Sequence, residues 1–263
     1  MENYISPPVG GAPRNLLDNS DFCDPVNQRD ATIASNYNYA IDRWQEYAGQ
    51  SSAYAFDAGG MTLTGVLAQK ILASVFAGGE TYTAALYMAD GSVLAASGAV
   101  NIAGSPWTGF ASAERGNVKI ALFTDSPDGS YIGVRIGASG EKIRACALYE
   151  GEYTADTLPP YAPKGYEVEL IACQRYYTRG TYILAHEFSS GLKIALTSVV
   201  YPVPMRVTPT VYIINTKYWA SQADAGITAE RNIGDNLGFN SLNLGAVPAM
   251  YPIQFDYISS ADL

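Results

Sequence analysis

The stretch NVKIALFTDSPDGSYIGVRIG (Asn117 to Gly137) consists of two apolar, β-branched runs separated by a Pro-Asp-Gly turn, and EKIRACALYEGEY (Glu141 to Tyr153) follows closely. Such a pair of runs around an Asp-Gly turn is typical of a β-hairpin. The second stretch alternates in composition, with Ile143, Ala145, Ala147 and Tyr149 interleaved with Lys142, Arg144 and Cys146. A period of two indicates a half-buried strand, and together the two stretches predict a β-sandwich.

Further hairpin patterns surround this stretch. AYAFDAGGMTLTG (Ala53 to Gly65) has a Gly-Gly turn, and TYTAALYMADGSVLAASG (Thr81 to Gly98) has an Asp-Gly turn. Past Gly180, Gly-, Pro- and Asn-rich turns separate five more strand-like runs, which are TYILAHEF, LKIALTSVVYPVPM, PTVYIIN, NLGFNSLNL and YPIQFDYIS. The chain is therefore predicted to be mainly β.

One segment breaks the β pattern. TADTLPPYAPKG (Thr154 to Gly165) carries three prolines, which neither a central strand nor a helix interior accepts. A helix is predicted after it, from Gly165 to Tyr177, with one apolar stripe formed by Tyr166, Leu170, Cys173 and Tyr177. Glu167 and Glu169 lie near its N-terminal end, where the helix dipole favours negative charge.

These patterns predict two unlike β-sandwich domains joined by a Pro-rich linker and one amphipathic helix. The predicted boundaries are an extended anchoring arm at 1–14, a first sandwich at 15–155, the linker and helix at 156–179, and a second sandwich at 180–263. The arm is rich in Pro and Gly and has no core of its own. Its anchoring residues are predicted to be Tyr4, Ile5, Pro7, Pro8 and Val9.

Composition narrows the function. Only 16% of the 263 residues are charged, while 48% are hydrophobic, so the surface is expected to be uncharged polar and aromatic or covered by partner subunits. A net charge of −9 argues against nucleic-acid binding, which needs a basic patch. No apolar stretch reaches the roughly 18 residues of a membrane span, and the start lacks an export signal. Three distant cysteines predict buried thiols rather than a disulfide framework.

Catalytic motifs are scarce. The single histidine, His186, precedes Glu187 in an apparent strand, where neighbouring side chains point to opposite faces and form no dyad. No G-x-S-x-G or other recognised catalytic motif is present. A pair of carboxylates for glycoside hydrolysis remains an alternative, because sequence spacing does not show which acidic residues meet in three dimensions. We expect no enzymatic activity and no cofactor.

Acidic residues gather at Asp18, Asn19, Asp21 and Asp24. Their oxygen atoms suit calcium, so Asp18 and Asp21 are weak candidates for a structural calcium site, although an EF-hand spacing is missing. Turn formation and capping are the favoured roles, and no metal is predicted.

Aromatic residues in loop-like settings are candidates for binding a glycan or a partner. They are Trp44, Tyr47, Trp107, Phe110, Tyr218 and Trp219. Each is alternatively a plug in the core of its own sandwich or in a subunit interface.

Three segments carry a resemblance to a known family. They are NLLDNSDFCDPVNQR (Asn15 to Arg29) with YAIDRW (Tyr39 to Trp44), ALYEG leading into PPYAPKGYEVELIACQRYY (Ala147 to Tyr177), and YPVPMRVTPTV (Tyr201 to Val211). Together they resemble segments of bacteriophage and prophage fibre-type virion proteins, which include tail fibres, head fibres and capsid decorations. The resemblance implies a jelly roll like that of carbohydrate-binding modules, followed by a helix and a smaller β domain.

The resemblance also implies a function. We expect a virion structural protein, assembled in the host bacterial cytoplasm as a homotrimer and exposed on the virion surface. Its expected partners are other capsid or tail proteins, bound through the N-terminal arm, and host cell-surface glycans. The alternatives are a stand-alone carbohydrate-binding module and, less favoured, a glycoside hydrolase.

Overall fold

The computed structural model confirms a mainly β fold, with sixteen strands and one α-helix among the residues that it describes. The described residues are 13–29, 33–34, 39–47, 51–100, 111–124, 131–184, 194–218, 229–244 and 253–262. Every strand pair in these ranges is antiparallel. The chain divides into two compact units, the first ending at Glu169 and the second beginning at Leu170.

The first unit contains ten strands connected in one network of hydrogen bonds. They are β1 (Ile33–Ala34), β2 (Tyr39–Ile41), β3 (Trp44–Glu46), β4 (Ser52–Asp57), β5 (Gly60–Leu72), β6 (Thr81–Met88), β7 (Val93–Ala99), β8 (Ser112–Arg115), β9 (Val118–Thr124) and β10 (Tyr131–Glu150). The predicted Gly-Gly hairpin is confirmed as β4–β5 and the Asp-Gly hairpin as β6–β7. Strands β9 and β10 also pair as predicted, and the Pro-Asp-Gly sequence between them lies outside the described residues.

Strand β10 organises this unit. Its first half pairs with both β5 and β9, and its second half pairs with β6. The register shifts between Ser139 and Glu141, where Gly140 adopts a left-handed φ of 83°. Beyond this irregularity the N-terminal segment lies along the strand, since the Leu16 N–H donates to the Leu148 carbonyl at 2.9 Å. The 20-residue strand β10, late in the sequence of this unit, is thus hydrogen-bonded to the N-terminal segment.

The predicted half-burial of β10 is wrong in its second half. Cys146 and Leu148 are fully buried in the main core, although the alternation placed Cys146 on the exposed face. Ala147 and Tyr149, on the opposite face, are also buried, in a separate cluster with Ala85. The strand is covered on both faces because later residues of the chain fold over its outer side.

The covering segment is the Pro-rich stretch, which is therefore not a free linker. Leu158 and Tyr161 pack against the cluster of Ala85, Ala147 and Tyr149. The Tyr87 hydroxyl donates to the Pro159 carbonyl at 2.7 Å. These contacts make the segment part of the first unit.

Helix α1 (Tyr166–Gln174) forms where the sequence predicts it but ends earlier, and Tyr177 already begins a strand. Two of the four residues of its predicted apolar stripe, Cys173 and Tyr177, are buried, and Leu170 is half-buried. Cys173 is fully buried, but Tyr166 is 41% exposed, and Val168 and Ile171 are more than half exposed. A polar residue of the first turn, Glu169, is buried instead. The buried side of this helix therefore includes the Glu169 carboxylate beside Cys173, which the apolar pattern alone did not indicate.

The second unit forms two three-stranded sheets, ordered β11–β16–β13 and β12–β15–β14. Its strands are β11 (Tyr177–Leu184), β12 (Ile194–Val200), β13 (Thr210–Tyr218), β14 (Ala229–Gly234), β15 (Gly238–Leu244) and β16 (Ile253–Ser260). Five of them match predicted runs, whereas β14 was not predicted. The rings of Phe239 and Tyr257, one from each sheet, lie 5.5 Å apart, so the two sheets are packed together at this point.

Candidate functional site

Two of the predicted aromatic candidates are described with their side chains, and neither offers a free ring. Trp44 is fully buried, packs edge-on against Phe22 with 5.3 Å between ring centroids, and donates its indole N–H to the Asn19 carbonyl at 2.8 Å. It is a core residue, the alternative that its sequence also allowed. The loop-like setting assigned to it is wrong too, since β2 and β3 form a short hairpin. Tyr47 is half-buried and packs against the Phe123 ring at 4.8 Å.

The remaining predicted residues lie outside what the structure describes. They are Trp107, Phe110, Trp219, His186, the side chain of Tyr218 and the arm residues Tyr4, Ile5, Pro7, Pro8 and Val9. Their predicted roles stay predictions.

A buried polar network centred on Asn19 connects the N-terminal segment, the β2–β3 hairpin and α1. Asn19 adopts a left-handed φ of 51°, which Asn tolerates better than most residues. Its amide nitrogen donates to the carbonyls of Val26 and Asp42 at 2.8 and 2.7 Å, and its amide oxygen accepts from the Val26 N–H at 2.7 Å. Its backbone N–H donates to the Glu169 carboxylate at 2.7 Å. One side chain therefore ties the N-terminal segment to the β2–β3 hairpin, while its backbone bonds to α1.

Glu169 is the buried acid of this network. It lies in the first turn of α1 and is 5% exposed. Burial raises its pKa above the usual value, while Lys164 and the backbone N–H groups of Asn19 and Ser20 oppose that rise. Backbone N–H donors and the helix dipole both stabilise a carboxylate near a helix N-terminus. Glu169 is therefore suited to bind the first turn of α1 to the segment around Asn19.

The calcium candidates have other partners. The Asp18 carboxylate lies between two cations, 3.3 Å from Lys164 Nζ and 3.5 Å from Arg43 Nε. Asp21 accepts the Cys23 N–H at 3.0 Å, which is a turn-capping bond. Within the described ranges, no group of three or more His, Cys, Asp or Glu side chains is placed to hold a metal ion. Asp18 and Asp21 thus have structural roles.

A different surface is exposed on the second unit. Side chains alternate along the strands of the β11–β16–β13 sheet, so that Phe255, Tyr257 and Ser259 of β16 are buried. We call the opposite side the open face. Its side chains belong to eight residues, namely Arg179, Thr181 and Ile183 of β11, Gln254, Asp256 and Ile258 of β16, and Tyr212 and Ile214 of β13.

The open face combines apolar and polar groups. Tyr212 is 56% exposed, and Ile183 and Ile214 are 42% and 40% exposed. Asp256, on the central strand, accepts the Thr181 hydroxyl at 2.6 Å and the Asn215 side-chain amide at 2.8 Å. The face therefore presents an aromatic ring beside a carboxylate that two neutral donors hold in position.

The residues of the open face carry no sequence motif that singles them out. The run PTVYIIN was recognised as a strand, but its apolar residues occupy both alternating sets, Val211 and Ile213 on one side and Tyr212 and Ile214 on the other. That double pattern was the available indication that one apolar side faces either a partner or solvent.

In the part of the chain that the structure describes, no helix is long and apolar enough to cross a membrane. Comparison of the chain with protein-family models, curated proteins and solved structures finds no match.

Proposed function

We propose that this chain is a non-enzymatic bacteriophage virion protein, a fibre or capsid-decoration subunit that is exposed on the particle and adheres to glycans of the host surface. The observation that carries the proposal is the buried network around Asn19. Its members come from the separate segments that resemble fibre-type virion proteins, with Asn19 in the first, Trp44 in the hairpin and Glu169 in the helix.

Residues that interlock in this way support a shared fold. Trp44 and Asn19 are almost completely inaccessible to solvent. A motif made of such residues supports an architecture, because its polar atoms bond to one another inside the first unit. The resemblance therefore bears on fold first, and the virion role follows from the family in which that fold is expected.

The absence of enzymatic activity is part of the proposal. It is supported by the sequence, which has one histidine and none of the recognised catalytic motifs. The carboxylates near the Asn19 network are engaged by Lys164, Arg43 and backbone N–H groups, an arrangement suited to holding segments together.

Virion location is tested by genetics and electron microscopy. Phage particles should be prepared with and without the gene and imaged, and both preparations should be analysed by mass spectrometry. We expect density and peptides of this chain only in the first preparation, with the arm at residues 1–14 contacting the capsid or tail. A protein that associates neither with particles lacking it nor with host cells would refute the proposal.

Assembly is tested separately by light scattering on the purified chain. A homotrimer is expected, with three times the 28.1 kDa mass of one chain. A monomer at all concentrations would remove the trimer from the proposal but would leave the virion location to the imaging experiment.

A further inference from the structure

The open face of the second unit begins with an apolar platform. Tyr212 stands opposite Ile258 in the register of β13 and β16, and Ile214 is the next residue of β13 on the same side. Tyr212 and Ile214 keep 56% and 40% of their surface exposed. The π-face of a tyrosine carries partial negative charge and attracts weakly positive C–H groups, which the apolar face of a pyranose ring supplies.

A polar arm flanks the platform. Asp256 lies opposite Ile214 on one side and Thr181 on the other. Its two carboxylate oxygens accept one hydrogen bond each, from the Thr181 hydroxyl and the Asn215 amide. An ionised carboxylate has about four acceptor positions, so these bonds orient the group and leave room for hydroxyl donors of a ligand.

The backbone is shaped to hold this arrangement. The register of β13 against β16 shifts between Ile214 and Lys217, and Asn215 has a left-handed φ of 51°. As a result Ile214 and Asn215, although adjacent in sequence, are both exposed. Bulges of this kind redirect side chains and often occur next to functional sites.

We propose that the open face is a binding surface for a neutral saccharide, with Tyr212 as the stacking ring and Asp256 and Asn215 as the hydroxyl-binding pair. Three strands spaced about 4.8 Å apart span roughly 10 Å, a width that suits one or two pyranose rings. This inference rests on the proposed adhesion function and names the surface that performs it.

The chemistry favours a saccharide over a protein partner. An apolar protein surface would bury Asp256 with acceptor positions unfilled, which is costly, whereas sugar hydroxyls donate to them. Residues 170–263 contain six Lys or Arg and six Asp or Glu, so the second unit has no excess positive charge to attract an anionic polysaccharide. A neutral glycan is complementary to both features.

The test uses the full chain and an array of neutral and acidic bacterial oligosaccharides, followed by titration calorimetry with the best neutral oligosaccharide. The variants are Tyr212→Ala and Asp256→Asn. The control is Val200→Ser, which changes an apolar residue that is 73% exposed on the other sheet of the same unit. We expect each open-face variant to weaken binding about tenfold and the control to bind as the wild type does.

Several results would overturn the inference. These are no binding of any neutral oligosaccharide by the wild type, binding of acidic glycans alone, and an equal loss in Val200→Ser. A smaller oligomer in Tyr212→Ala than in the wild type would also overturn it, because the open face would then be a contact between copies of the chain. Backbone amide shifts of the wild type give a readout that does not depend on variants, since only β11, β13 and β16 should respond to the sugar.

Failure here is distinguishable from failure of the virion role. Particles carrying Tyr212→Ala should contain the protein in normal amount and lose adhesion. If the protein is present on particles but no glycan binds, only the saccharide inference fails. If the protein is absent from particles, the proposed function fails whatever the array shows.

Discussion

Two sheet faces of this molecule carry tyrosine side chains, and one face is covered by the chain while the other is exposed. The outer face of β6 and β10 carries Tyr87 and Tyr149, and the segment with Leu158 and Tyr161 covers it. The open face of the β11–β16–β13 sheet carries Tyr212, which is 56% exposed. On the covered face burial raises the pKa of both Tyr87 and Tyr149.

Strand composition alone therefore does not decide whether an aromatic residue is buried in the protein or accessible to a ligand. Both faces derive from strands rich in tyrosine and small or aliphatic residues. The first is closed by a nearby Pro-rich segment whose carbonyl at Pro159 accepts the Tyr87 hydroxyl. No described residue of the second unit plays that part over Tyr212, and exposed apolar side chains of this kind make the open face a candidate for interaction.

Trp44 is fully buried, and its removal is expected to reduce stability more than any other change considered below. Trp44→Ala should lower the free energy of unfolding of the first unit by about 3–5 kcal/mol, because it leaves a cavity and an unpaired Asn19 carbonyl. Urea denaturation followed by tyrosine fluorescence and circular dichroism measures this. Unchanged stability, with loss of glycan binding, would instead restore Trp44 as a ligand contact.

Glu169 tests a buried charge by its pH dependence. Because burial raises its folded pKa, the folded state holds the proton more tightly, and stability falls as pH rises from the unfolded pKa through the folded one. The Glu169→Gln variant has no carboxyl group at this position and lacks this pH dependence. The stability of the wild type relative to Glu169→Gln should therefore decrease above about pH 4.5, by about 1.4 kcal/mol for each unit of raised pKa. Denaturant titrations at a series of pH values measure the difference, and parallel curves for the two proteins would contradict the assignment.

The hydroxyl of Tyr87 tests how firmly the Pro-rich segment is held on the covered face. Tyr87→Phe removes the hydroxyl that donates to Pro159 and leaves that carbonyl unpaired, at a cost of roughly 0.5–1.5 kcal/mol. Cleavage of residues 151–164 by protease should also become faster, because the segment is held less firmly. Tyr212→Phe serves as the matched control on the open face. Equal protease sensitivity in the two variants would mean that the segment is held by other contacts.

The smallest expected effect belongs to the open face. Tyr212→Ala should change the free energy of unfolding by less than about 0.5 kcal/mol, because its ring is more than half exposed. Thermal unfolding measures this beside the binding titration. A large loss of stability would show that the ring supports the sheet, and the contrast between the two faces would disappear.

Sequence reasoning predicted the β class and most strands because hairpin turns are local. In the two confirmed hairpins, Gly60 and Gly91 have the positive φ values that glycine adopts readily. Strand β14 escaped prediction because Ala229–Gly234 has no regular alternation of apolar and polar residues.

The failures arise from contacts that are distant in sequence. The prolines of residues 154–165 indicated a linker, but nothing local shows that Tyr161 packs on Tyr87 with 5.5 Å between their rings. Trp44 looked exposed because DRWQEY is polar around it, whereas Asn19, twenty-five residues earlier, accepts its indole N–H. The inward turn of Glu169 likewise depends on a partner at the other end of the unit.

The partnership between Asn19 and Glu169 has a consequence for synthesis of the protein. The two residues are 150 positions apart, and the N-terminal segment also bonds along the last part of β10. Contacts of such long range form late and slow folding. On the ribosome, the segment with the apolar residues Leu17 and Phe22 is therefore expected to lack its partners until β10 has emerged, and Asn19 to lack Glu169 until α1 has followed. Nascent chains in this interval are the species most exposed to aggregation and to chaperone binding.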